Sequence, residues 1–86
     1  MSANPSRRNP VSVAFGRALK AARNKIGLSQ EAFAERADLD RTTPSLWERG
    51  LRSPTLARLV DIARVLRVEP TQLLADTLEH LRREEP

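Results

Sequence analysis

Residues 28–50 read LSQEAFAERADLDRTTPSLWERG, and the pattern is two short helices joined by a tight turn. Ser29 can cap the first helix, with the acid Glu31 in its first turn. Phe33, Ala34 and Ala37 form a short apolar face, and the helix should end by Asp38, since aspartate tolerates positive φ. Asp40 can cap the second helix, which runs to about Arg49 and stops at Gly50. The turn Asp38-Leu39-Asp40 lets the second helix cross the first steeply and project its start outward, the geometry with which a helix enters a DNA major groove. Leu39 and Trp47 should anchor it to the core, while Arg41, Thr42, Thr43 and Ser45 face outward and are polar and short or forked. Pro44 is acceptable only in a first helical turn and pushes Thr43 from helical geometry. A later start, near Thr43 or Pro44, therefore competes with Asp40 and would re-aim Arg41 and Thr42.

Outward from this segment the helical period continues. Upstream, Phe15, Leu19, Ala22 and Ile26 recur on one helical stripe, with Ser12 able to cap its start and Gly27 to end it. Downstream, the Ser53-Pro54-Thr55 turn precedes a stripe of Leu56, Leu59, Val60, Ala63 and Leu66. A last helix opens at Pro70, suited to a first helical position, and carries Leu73, Leu74, Leu78 and Leu81. Residues 1–11, with Pro5, Pro10, Asn4 and Asn9, read as a flexible arm, and 12–86 as one all-α domain of five short helices without a confident strand.

Composition narrows the function classes. The chain has 86 residues and no cysteine, so neither a disulfide framework nor a thiolate metal site is available. One histidine and no glycine-rich loop leave the usual nucleophile, metal and phosphate-cradle arrangements unfilled, so no enzyme, no cofactor and no metal are expected. No apolar run reaches membrane-spanning length. Ser6-Arg7-Arg8-Asn9 superficially suggests an export signal, but Arg17 and Lys20 interrupt the apolar stretch after it, so a cytoplasmic protein is expected. Residues 1–60 hold eleven basic against five acidic side chains, a balance of +6, and residues 61–86 hold four against six, a balance of −2. Such polarity fits one polyanion-facing side and equally an uneven solvated surface.

The segment resembles the Cro/repressor-type helix-turn-helix, the XRE family. The resemblance rests on Leu28-Ser29-Gln30-Glu31, then Glu48-Arg49-Gly50, then Arg52-Ser53-Pro54-Thr55-Leu56, and continues through Leu59, Ile62-Ala63 and Leu66, roughly residues 13–75. Leu39-Asp40-Arg41-Thr42 is similar, more narrowly, to controller proteins of restriction-modification systems. The likeness implies a compact five-helix, lambda-repressor-like domain that binds double-stranded DNA and regulates transcription. It implies base reading by Arg41 and Thr42 with Thr43, Ser45 and Leu46 nearby, Arg41 reaching guanine O6 and N7 and a threonine methyl meeting a thymine methyl. Phosphate contacts are implied for Ser29, Gln30, Arg49, Arg52 and Ser53. Arg23 and Glu48 match an ion pair linking helices one and three, which gives Glu48 a structural role. The sequence departs from the family at Asp38, where glycine is usual, and at Pro44.

Leu74, Leu78 and Leu81 extend an apolar stripe beyond what the core needs and are expected to form a two-fold homodimer contact. Two half-sites of an inverted-repeat operator, about 34 Å apart, would then be read together. Trp47 is expected in the core, not stacked on a base; His80 is expected to face solvent or an interface. The Arg7-Arg8 arm fits either a minor-groove follower or a plain soluble tail. The competing function is an antitoxin or adaptor that mainly binds a protein partner through helix five and the tail.

Overall fold

The computed structural model describes residues 8–84 as five helices: α1 Pro10–Lys25, α2 Gln30–Arg36, α3 Thr43–Glu48, α4 Leu56–Val65 and α5 Pro70–Glu84. Residues 1–7 of the expected arm, Arg7 included, lie outside the described residues.

The first helix starts before Ser12. Asn9 is its cap, accepting the Val11 N–H at 2.8 Å and the Ser12 N–H at 3.4 Å, and Pro10 opens the helix. Proline fits there because its missing N–H would be unpaired anyway. Ser12 therefore lies inside the first turn, where its hydroxyl meets that of Ser53. The other capping residues are Ser29 and Thr55, whose side chains accept from Ala32 N–H and Arg58 N–H.

Helix endings follow one scheme. Gly27, Asp38, Gly50 and Arg67 all have positive φ, between 54° and 73°. In each case the next residue donates back to the carbonyl five positions earlier: Leu28 to Arg23, Leu39 to Ala34, Leu51 to Leu46, Val68 to Ala63. This closure satisfies carbonyls left open at a helix end and turns an apolar residue back toward the domain. Gly50 has a second reason for being glycine, since a Cβ there would lie 2.8 Å from Cγ2 of Val13.

The core is built from one stripe of each helix. Phe15 and Leu19 of α1, Phe33 of α2, Trp47 of α3, Ile62 of α4 with Leu66 at its C-terminal cap, and Leu73 of α5 are all buried in one cluster. Trp47 meets Phe15 edge-on, ring centroids 6.4 Å apart at 76°, an arrangement that aligns the positive ring edge with the negative ring face. Thr77 is buried on α5 one turn after Leu73 and donates its hydroxyl to the Leu73 carbonyl at 2.9 Å, so it leaves no unpaired group inside. No helix among the described residues is long and apolar enough to cross a membrane.

Candidate nucleic-acid interface

Helices α2 and α3 are short, so neither would persist alone in water. Their placement comes from tertiary contacts at the C-terminal end of α3. There the Arg23 guanidinium of α1 grips the Glu48 carboxylate with two bonds, Nε to Oε2 at 2.6 Å and Nη2 to Oε1 at 2.8 Å. A third bond, Nη1 to the Leu28 carbonyl at 2.7 Å, fixes the chain just before α2. The side chains of Arg23 and Glu48 are only 10% and 4% exposed. Glu48 raises the Arg23 pKa above its ordinary value, chiefly through the hydrogen bond; burial opposes this and the Coulomb attraction adds to it. Gln30, first residue of α2, closes the network by donating Nε2 to Glu48 Oε1 at 3.2 Å. One fork-shaped contact thus ties α1, α2 and α3 together.

Backbone proximity adds to this. A Cβ on Gly16 of α1 would lie 2.7 Å from the Glu48 carbonyl oxygen and would also strike that of Trp47. Glycine in a helix interior costs about 0.5–1 kcal/mol relative to alanine, and here it permits α1 and α3 to touch through their backbones. The sequence reading gave Gly16 no role, although a glycine inside a strong helical stripe is a signal of close approach.

The N-terminal end of α3 differs. Regular helix begins at Thr43, with Pro44 in the first turn and buried, so the later of the two starts is the one adopted. The preceding residues are nevertheless ordered. The Asp40 carbonyl accepts the Thr43 N–H at 3.0 Å, and Asp40 Oδ1 accepts both the Thr42 N–H at 2.9 Å and the Thr42 hydroxyl at 2.8 Å. These two donors, the amide first, pull the Asp40 pKa below its ordinary value. Because a carboxylate only accepts, the Thr42 hydroxyl must be the donor, and its remaining lone pairs are left for other partners. Arg41 and Thr42 are exposed, while Thr43, Ser45 and Leu46 are half-buried.

The other expected contact residues are distributed around this end. Ser29 is exposed; its oxygen accepts from Ala32 N–H at 3.0 Å, which leaves its proton for an outside acceptor. Arg49, Arg52 and Ser53 are exposed beyond α3. Thr43, Leu46, Arg52 and Ser53 come together on the wall of one cleft of about 320 Å³ between α3 and α4, and Arg58 of α4 joins them. Arg58 was not among the expected residues; its position three after the capping Thr55 is the signal that could have placed it in the first turn of α4. Arg41 borders a different shallow cleft with Glu31 and Glu35. On α5, Leu74 and Leu78 are 49% and 43% exposed and Leu81 is half-buried. Leu74 lines an apolar groove with Val11, Phe15, Leu56 and Leu59. Among the described residues no cluster of histidine, aspartate and glutamate is arranged to hold a metal ion.

Comparison with known proteins supplies an independent reference. Residues 19–73 match the helix-turn-helix family. The chain is 41% identical over 69 residues to the control protein C.MunI of a Mycoplasma species, across 79% of this chain and 93% of that one. Among solved structures, the restriction-modification controller protein C.AhdI from Aeromonas hydrophila superposes with a TM-score of 0.69 at 39% identity, covering 72% of this chain and 94% of that one. The clp gene regulator ClgR from Corynebacterium glutamicum superposes with a TM-score of 0.83 at 19% identity, over 91% and 83% of the two chains, a likeness of fold.

Proposed function

Because the chain belongs to the helix-turn-helix family of XRE type, we propose that it binds double-stranded DNA sequence-specifically and regulates transcription, with α3 in the major groove. The observation that carries this reading is the division of labour along α3. Its C-terminal end is locked by a buried ion pair, while its N-terminal approach presents the polar residues Arg41 and Thr42 to solvent.

The roles follow from donor and acceptor chemistry. Arg41 supplies a fork for the O6 and N7 acceptors of guanine. Thr42, its proton committed to Asp40, offers lone pairs and a methyl group. It therefore suits an exocyclic amino group of adenine or cytosine beside a thymine methyl, and it disfavours the guanine O6 or thymine O4 acceptors. Thr43, Ser45 and Leu46 flank these two. Ser29, Gln30, Arg49, Arg52 and Ser53 grip phosphates; one Gln30 amide hydrogen goes to Glu48 and the second serves the backbone. Leu74, Leu78 and Leu81 form the contact of a homodimer that reads an inverted repeat, since the two most exposed of them are costly to leave wet. Nothing in this mechanism needs a cofactor.

Selection of bound duplexes from a random double-stranded library at near-physiological salt tests the reading. An enriched inverted repeat with half-sites about one helical turn, roughly 34 Å, apart is expected. A single short motif would remove the dimer. Retention without enrichment would remove the specific reader and favour a protein-binding adaptor.

A further inference from the structure

The cleft between α3 and α4 has a composition that the base-reading residues do not account for. Apolar Leu46 and Trp47 line it together with the hydroxyl-bearing Thr43 and Thr55, and two arginines, Arg52 and Arg58, complete the lining. No carboxylate lines it. Neither guanidinium has an ion pair or side-chain hydrogen bond among the described residues. Two unpaired cations beside one cleft repel each other, and an arrangement of that kind is relieved by an anion between them. The arginines come from different places in the chain, Arg52 from the loop after α3 and Arg58 from the first turn of α4. Only the approach of these two segments creates the pair.

We propose that this cleft is a seat for one backbone phosphodiester of the bound DNA, held jointly by Arg52 and Arg58, with the adjoining deoxyribose against the apolar lining of Leu46 and Trp47. Thr43 and Leu46 belong both to this cleft and to the recognition helix. A phosphate seated here therefore fixes how deeply α3 enters the groove, and Arg58 is a positioning residue that carries no base information. The inference rests on the DNA-binding reading and adds to it a residue that neither the motif nor the helical pattern assigns.

The test measures binding of wild-type protein, Arg58→Ala and Arg58→Lys to two short duplexes, the enriched sequence and a scrambled one, over a series of salt concentrations. For Arg58→Ala the affinity should fall by a similar factor, about five- to tenfold, on both duplexes, and the slope of log affinity against log salt should shrink by about 0.9. Arg58→Lys should recover most of the slope, since a point charge still neutralises one phosphate. The melting temperature of Arg58→Ala should match wild type, because the side chain has no partner to lose; this separates a positioning effect from unfolding. An unchanged slope overturns the proposal, as does altered preference at a single base pair without a slope change. A further arm adds inorganic phosphate at constant ionic strength: displacement of DNA from wild type but not from Arg58→Ala is expected if both compete for this cleft, whereas phosphate that binds through Arg58 without displacing DNA would mark a free-anion site and overturn the DNA seat. Failure of the wild type to bind either duplex would remove the DNA reading itself and this seat with it, an outcome distinct from wild-type binding that Arg58→Ala leaves intact.

Discussion

The two ends of α3 belong to one helix of six residues and are held in opposite ways. At Glu48 the helix is fixed by tertiary contacts: a two-bond ion pair to α1, a hydrogen bond from α2 and backbone proximity to Gly16. At Arg41–Thr43 it is held by local bonds, chiefly to Asp40, and the Arg41 and Thr42 side chains stay exposed. A probe needs both conditions. The rigid end sets where the helix points, and the local end fixes the Thr42 proton on Asp40 while leaving its lone pairs and the Arg41 fork turned to solvent.

Substitutions separate the two ends, and the largest effect should come from the locked one. Glu48→Ala leaves the Arg23 guanidinium buried without its counter-charge and should lower unfolding free energy by about 3–5 kcal/mol, as measured by denaturant titration. A loss below 1 kcal/mol would mean the network is not what holds α3. Gly16→Ala forces α1 from the α3 carbonyls and should cost about 1–3 kcal/mol. It should also weaken DNA binding, since α3 is displaced as a body; a variant as stable and as tight-binding as wild type would contradict the close approach.

At the exposed end, effects should appear in recognition far more than in stability. Thr42→Val keeps the methyl and removes the acceptor. Competition between duplexes should then show the preference for an amino-bearing base at one position per half-site falling by about tenfold, with melting lowered only slightly by the lost exposed bond to Asp40. An unaltered preference would exclude Thr42 as a reader. The smallest effect is a titration. Since the folded Asp40 pKa is depressed, its contribution to the first turn is fully present above the unfolded aspartate value and is lost as pH falls through the folded one. The Thr42 amide resonance should therefore move with a midpoint below that of an ordinary aspartate, and a midpoint at or above it would show that the bond to Asp40 is not kept.

Much of this was legible along the chain. The helix count, the buried stripes and the endings at Gly27, Asp38 and Gly50 come from capping chemistry and a 3.6-residue period, which act over a few residues. The first start was misplaced because both Asn9 and Ser12 can cap, and the rigid φ of Pro10 decides for Asn9. Arg67 was not anticipated as a helix end because arginine has no intrinsic liking for positive φ; the closure from Val68 to Ala63 imposes it.

The sequence by itself determined which residues are available: a capped pair of short helices, an outward polar turn and an arginine-rich loop. Tertiary structure decided what those residues are free to do. It turned one Gln30 hydrogen inward to Glu48 and placed Arg58 and Arg52 on one cleft. The physical reason is range. Caps and helical stripes are settled by neighbours within one or two turns, whereas the meeting of α1, α2, α3 and α4 depends on helix crossing geometry, fixed only when the whole core packs.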